Sequence, residues 1–300
     1  MSPIRNGQDR QITVGLDIGA NSIICAIGQI IPDTKRLKLL GISTVQSSGI
    51  RRGTITHRNE LIEKLEMAMS EAETMANIKI TKAILSITGD HIRCLNTQAA
   101  IALNRASGGP SGITERAIQD EDIYQVLDLA QAVSLPVDRD ILHTLPQEYL
   151  VDTLEEIKNP IGMTGRRLEG RVHLVTAATT AMNNLVSCVE ELGITVDGLV
   201  FQPLASALAT LHEDEMELGV TLVEIGSSTT NIAVYHGSAI RHSAIIPIGA
   251  SSITHDIAVM LQISIEDAEN IKIKYASARA SLSSPKLEIE IPSQEGQIER

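Results

Sequence analysis

Residues 15–29 read GLDIGANSIICAIGQ, and residues 222–236 read LVEIGSSTTNIAVYH. Each is a short apolar run, an acid (Asp17, then Glu224), Ile-Gly, a few small polar residues and a second apolar run. Two apolar strands around a Gly-bearing turn are the ordinary recipe for a β-hairpin, so a single copy carries little information. Two copies with acid, isoleucine and glycine in register imply something more. The chain is read as an α/β protein, long enough for two domains or a divided one, in which one hairpin pattern occurs twice.

A turn of Gly and small polar residues can aim several backbone N–H groups at one spot. Such a nest binds an oxyanion without basic side chains. The acid ahead of each turn cannot bind phosphate itself, but it can hold a hydrated Mg²⁺ or orient a water beside the phosphates. Two hairpins facing each other would clamp a polyphosphate from both sides.

That chemistry is compatible with a formal net charge of −12, from 25 basic and 37 acidic residues. The acidic balance argues against a nucleic-acid partner, which needs a basic face. One Phe, four Tyr and no Trp leave little to stack on bases. Three hundred residues with 43% hydrophobic content suffice for more than one packed core. Cys25, Cys94 and Cys188 are odd in number, far apart and form no CxxC pair, which argues against a disulfide framework and a cysteine-ligated metal site and reads as three reduced buried thiols. The eight histidines (57, 91, 143, 173, 212, 236, 242, 255) lack metal-ligand spacing and read as scattered surface or capping residues. The polar start MSPIRNGQDRQ has no signal-peptide core, and no run approaches the roughly 20 apolar residues of a membrane span. The chain as given is expected to be soluble.

Along the chain, 12–18, 23–31 and 37–45 read as strands, and 59–77 as a helix. Leu61, Ile62, Leu65, Met69 and Ala72 form that helix's stripe, with Asn59 available as its N-cap. A new unit is expected near residue 80, with strands at 82–88 and 91–103, a loop at 107–112 and a helix over 114–134. That helix has Ile118, Val126, Leu127, Leu129 and Val133 as core candidates. A buried strand (171–179) feeds a helix (181–193) stopped by Gly193, and 193–211 continues as strand then helix. Beyond the second hairpin, Ser264 and Asp267 stand at S-x-x-D spacing before another helix, and residues 281–300 hold one alternating strand.

The hairpins look like the phosphate-1 and phosphate-2 motifs of the actin, Hsp70 and sugar-kinase ATPase superfamily. Within it the chain closely resembles the FtsA family of bacterial cell-division proteins, from about residue 12 to about 293. The most specific residues lie away from the hairpins. They are HTLPQEYLVD (143–152), IKNPIGMTGRRLEGRVHLVTA (157–177), LGVTLVEIG (218–226), TNIAVYHGSAIRH (230–242), ITHDIA (253–258) and DAENIK (267–272). The resemblance implies actin-like, duplicated ribonuclease-H-like domains with an FtsA-type inserted subdomain and an incomplete second domain. The first core domain is expected at 1–80 and 169–197, the insert at 81–168, the second core at 198–250 and a second smaller subdomain at 251–300. Carried over residue by residue, Asp17, Gly19, Asn21 and Ser22 fall in the first phosphate loop. Glu224, Gly226, Ser227, Ser228 and Thr229 fall in the second. Gln202, Pro203 and Ala205 sit at the interdomain hinge. Glu269 and Lys272 match positions that touch the adenosine of ATP, although alone they read as an i,i+3 surface ion pair. Asp17 would hold Mg²⁺ through water, and Asp17 with Glu224 would supply any hydrolysis.

The second loop departs from the family's Asp-Ile-Gly-Gly-Gly-Thr. Glu224 lengthens the acid by one methylene, and Ser227 and Ser228 replace glycines, with loss of easy positive φ and the addition of two Cβ atoms. Asn231 lacks the usual charge, and Ser22 stands where many relatives have Lys. ATP binding with weak or absent hydrolysis is expected. The family's closing Gly-Gly motif and its C-terminal amphipathic helix do not occur within the 300 residues, so only a longer chain is expected to reach the membrane. The resemblance implies an actin-like scaffold that self-associates and binds the C-terminal tail of FtsZ through the segment from about 251. It would contact late division proteins through 81–168, at the cytoplasmic face of the inner membrane. The alternatives are a PilM-like pilus-assembly adaptor and a small-metabolite kinase on the same fold; no catalytic base for the kinase is found outside the hairpins.

Overall fold

The computed structural model describes residues 11–32, 36–103, 116–279 and 281. The first hairpin seeds its first sheet. Strands β1 (Gln11–Ile18) and β2 (Ser22–Ile31) pair antiparallel with Asp17 opposite Ile24, and β3 (Arg36–Gln46) pairs antiparallel with β2. Alternation turns Val14, Leu16 and Ile18, with Ile23, Cys25 and Ile27, into the core. A small hairpin of β4 (Ile50–Arg51) and β5 (Thr54–Ile55) precedes α1 (Arg58–Ala76), which buries Leu61, Leu65, Met69 and Ala72 against that core. Its N-cap is His57, in extended conformation, so Asn59 lies inside the first turn and not at the cap. Strand β6 (Lys82–Ile87) then pairs parallel to β1.

Next come β7 (Arg93–Ala102), β8 (Arg116–Ala117), α2 (Asp120–Gln131), β9 (Arg139–Val151), β10 (Leu154–Ile157), β11 (Thr164–Gly165) and β12 (Arg167–Ala178). Four of these strands form an antiparallel sheet in the order β10-β9-β12-β7. Its separate core holds Ile101, Leu103, Ile118, Val126, Tyr149, Val151 and Leu168. Helix α2 is shorter than the periodicity suggests, and Leu129 is 48% exposed because it sits on the helix's outer face.

Helix α3 (Thr179–Glu190) returns the chain to the first sheet, where β13 (Thr195–Phe201) pairs parallel with β6. Gly193, with φ 77°, lies two residues past the helix's C-cap, Glu191. The first sheet is thus ordered β13-β6-β1-β2-β3. Helices α4 (Gln202–Thr210) and α5 (Glu213–Leu218) lead to β14 (Val220–Ile225), β15 (Thr230–His236) and β16 (Ala239–Ile246), an antiparallel meander. Glu224 faces Asn231 as Asp17 faces Ile24, so the two hairpins share one register. The described chain closes with α6 (Ala250–Leu261) and α7 (Ile265–Tyr275), whose N-cap Ser264 accepts from Asp267 N–H.

Strand 82–87, read as the start of the insert, belongs to the first sheet, and strand 167–178 belongs largely to the second. Alternation identifies a strand but not its partner. The 107–112 loop and the alternating strand expected near the end of the chain lie outside the described residues. The three cysteines are free, with Cys25 and Cys188 buried and Cys94 half-buried. No helix among the described residues is long and apolar enough to cross a membrane.

Candidate functional site

The two turns are closed in the same way. Gly19 N–H donates to the Ser22 carbonyl at 3.0 Å, and Gly226 N–H donates to the Thr229 carbonyl at 2.9 Å. The N–H groups of Ala20, Asn21, Ser227 and Ser228 are left without a backbone acceptor among the described residues. Ser227 and Ser228 are not at positive φ, so serine fits the turn and the expected loss of backbone freedom does not arise.

The second turn is also aimed. Ala250 N–H donates to the Gly226 carbonyl (2.9 Å) and Ser251 N–H to the Ser227 carbonyl (2.8 Å), which ties the turn to the start of α6. In a trans peptide the N–H points opposite the carbonyl, so these bonds direct the N–H groups of Ser227 and Ser228 away from α6. Gly249 permits the approach, since a Cβ there would stand 2.4 Å from the Ser227 oxygen. Ser228 Oγ accepts from Arg52 N–H at 3.1 Å, which fastens the β4–β5 hairpin to the same turn.

The two acids are held differently. Ser86 Oγ donates to Asp17 Oδ1 from the neighbouring strand β6; Asp17 Oδ2 has no hydrogen-bond partner among the described residues. Glu224 has both oxygens engaged, Oε1 by Ser206 Oγ and Oε2 by Asn231 Nδ2 at 3.3 Å. Asn231, 4% exposed, accepts from Thr88 Oγ1 at 2.7 Å and lies 3.4 Å from Gln202 Oε1 at the start of α4. The end of β6 therefore touches both hairpins, through Ser86 on one side and Thr88 on the other. Among the described residues no group of three or more His, Cys, Asp or Glu could hold a metal. A Mg²⁺ here fits only as a largely hydrated ion, on the free Asp17 oxygen and the phosphates it accompanies.

Glu269 and Lys272 form the expected i,i+3 pair, with Lys272 largely buried and Glu269 40% exposed, and the pair has further partners. They meet at 2.6 Å, and Lys272 Nζ also donates to Thr254 Oγ1 (2.8 Å) and the Ala250 carbonyl (3.3 Å). Lys272, with Thr254, holds the Glu269 carboxyl below the usual range. The pair clamps α7 onto the first turn of α6, one residue from Gly249. Sequence reasoning missed Ser86, Thr88, Ser206, Arg52 and Thr254. The available signal was hydroxyls spaced by two at the end of a strand (Ser86, Thr88), where open α/β sheets place their ligands.

The histidines also depart from the expected pattern. His173 on β12 is 1% exposed. Its Nδ1 meets Asn96 Oδ1 at 2.6 Å and its Nε2 meets Ser243 Oγ of β16 at 2.7 Å. Burial, reinforced by His242, pushes its pKa down to about 4. Beside it, Arg241 joins Glu148 at 2.8 Å and Gln147 donates to the Ile240 carbonyl at 2.7 Å, so a polar seam connects the four-stranded sheet to β16. His143, half-buried, accepts from Phe201 N–H at 2.9 Å where β13 runs into α4.

The family model for the SHS2 domain inserted in FtsA matches residues 89–176, and that for cell division protein FtsA matches residues 221–300. The cell division protein FtsA of Pseudomonas aeruginosa is 41% identical over 95% of this chain, and that of Escherichia coli K12 is 35% identical over 97%. The chain belongs to the FtsA family of cell-division proteins. It spans 66% and 67% of those two FtsA relatives. Among solved structures, the PilM–PilN type IV pilus biogenesis complex superposes with a TM-score of 0.65 at 13% identity, over 88% of this chain and 69% of that one. At that identity the likeness is one of fold. The actin-like α/β architecture and the FtsA-type insert read from the sequence are therefore those of this FtsA-family chain.

Proposed function

We propose that this chain is the nucleotide-binding scaffold of an actin-like division protein, taking ATP with Mg²⁺ between its two hairpin turns. One observation carries this reading: the paired hairpins share a register and a turn closure, and both contact the end of β6. The backbone N–H groups of Ala20, Asn21, Ser227 and Ser228 supply the phosphate donors, Asp17 the water-mediated hold on Mg²⁺, and Glu269 with Lys272 the adenosine side. Glu224 has both oxygens committed and Asn231 is uncharged, which supports slow or absent hydrolysis. In the whole protein, self-association, the FtsZ tail on the segment from about 251, late division proteins on the insert and a C-terminal membrane helix complete the role. The sheet pairing supports starting that insert after Ile87. The pilus-adaptor alternative has only the fold behind it, and the kinase alternative lacks a candidate base outside the hairpins.

The test is calorimetric titration of ATP, with and without Mg²⁺, into this chain and into one extended to the length of the relatives. Binding by either, with Mg²⁺ dependence lost in Asp17→Asn, is the expected result. Silence from both chains overturns the nucleotide reading.

A further inference from the structure

The β4–β5 hairpin has no assigned role in the site, yet it is built tightly into it. Its two turn residues, Arg52 (φ 51°) and Gly53 (φ 78°), both lie at positive φ, a pattern that favours Asn-Gly or Asp-Gly. Arginine is a poor choice there on conformational grounds alone, and a residue held in an unfavoured region points towards a function. The turn is locked against the end of β6. A Cβ on Gly53 would fall 2.0 Å from the Thr88 oxygen, and Asp90 N–H donates to the Arg52 carbonyl at 3.1 Å. Thr88 is the residue that reaches Asn231, and Arg52 N–H holds Ser228 of the second turn. The hairpin is thus positioned by the same atoms that position the phosphate loops.

Arg51 and Arg52 line a cleft of about 500 Å³ together with Ser228, Ser251, His255 and Asp256. Among the described residues neither guanidinium is paired with a carboxylate. Asp256 is the one acid among the lining residues, against two arginines, so the lining is net positive. Elsewhere the turns offer only backbone dipoles and hydroxyls, with Ser22 in the place where a lysine would supply charge.

We propose that Arg51 and Arg52 form a cationic wall beside the second phosphate turn, where this cleft meets Ser228, reach from there to the terminal phosphate of a bound nucleoside triphosphate, and so make the chain prefer triphosphate to diphosphate. This rests on the nucleotide reading above. A guanidinium fork matches phosphate oxygens in a bidentate way, and the terminal phosphate is the group a diphosphate lacks.

The experiment measures ATP and ADP affinity for the unmodified chain, Arg51→Gln, Arg52→Asn and the double variant, in whichever chain length binds ATP. Asn suits the positive φ of position 52, so the turn is kept, and an unchanged melting temperature verifies this. Each single variant is expected to weaken ATP about tenfold and ADP less than about twofold, the scale of one lost charge-assisted hydrogen bond. An unchanged ATP-to-ADP ratio in the double variant, with ATP still bound, overturns the arginine assignment and leaves the nucleotide reading intact. Equal loss of both nucleotides also overturns it, since the hairpin then only shapes the cleft. If neither chain length binds ATP, the nucleotide reading fails first and this assignment falls with it.

Discussion

Lowering the pH from 7.5 to 5.0 should loosen the seam between the four-stranded sheet and β16, and His173 should account for a measurable share of the loss. Its ring is neutral in the fold: Nδ1–H donates to Asn96 Oδ1 and Nε2 accepts from Ser243 Oγ. Burial, with His242 nearby, takes its pKa down to about 4. In the unfolded chain an ordinary histidine titrates near 6.5. Between those values the unfolded state binds more protons than the folded one, so stability falls as the pH falls. It is fully present above about 6.5 and is lost at about 1.4 kcal/mol per pH unit down to about 4. At pH 5.0 the loss is about 2 kcal/mol, or roughly 0.7 M in urea midpoint for an m-value near 3 kcal/mol/M. Urea unfolding at both pH values, for the wild type and His173→Gln, isolates the effect. Other groups, including His143 and His91 (both pushed down mainly by burial), titrate in both proteins and cancel. The wild type should lose about 2 kcal/mol more than the variant. Equal losses would refute the argument and show that His173 is hydrated or already charged in the fold.

Gly249→Ala should displace the second turn, because its Cβ would stand 2.4 Å from the Ser227 oxygen and 2.5 Å from the Gly226 oxygen. A cost of about 1–3 kcal/mol is expected in urea unfolding, with a clear loss of ATP affinity; a neutral variant would mean that α6 does not cap the turn. Lys272→Met should cost about 1 kcal/mol at neutral pH by removing the ammonium from Glu269 and the Ala250 carbonyl, while Thr254 Oγ1 still donates to Glu269. Because Lys272 holds the Glu269 carboxyl low, part of that cost should vanish as acid protonates the carboxylate. A difference from wild type that stays constant down to pH 3.5 would contradict the clamp.

The drifted second loop reads differently once its surroundings are visible. Serines at 227 and 228 looked costly because glycines are usual there, yet neither residue needs a positive φ. Glu224 instead serves as a tie between α4 and β15, through Ser206 and Asn231. A side chain one methylene longer than Asp can reach Ser206 on the neighbouring helix. On this account the change from acid to longer acid exchanges a free carboxylate for a structural one.

Local pattern alone was enough for much of the architecture. Period-two alternation marked β1, β2 and β15, a helical stripe marked α1, S-x-x-D marked the start of α7, and the repeated acid-Ile-Gly marked the duplication. All but the last of these signals are carried by neighbours within about four positions of one another, where backbone geometry couples side chains directly, and the duplication is legible because the same short pattern occurs at 17–19 and 224–226. Tertiary structure decided what such coupling cannot reach. It placed β6 in the first sheet, beside β1, and so brought Ser86 to Asp17 and Thr88 to Asn231, contacts spanning 69 and 143 positions. It buried His173 between two sheets and made the Glu269–Lys272 pair a clamp of α7 onto α6. These facts depend on which faces pack together, and packing is settled by the burial of whole apolar surfaces rather than by any short stretch of chain.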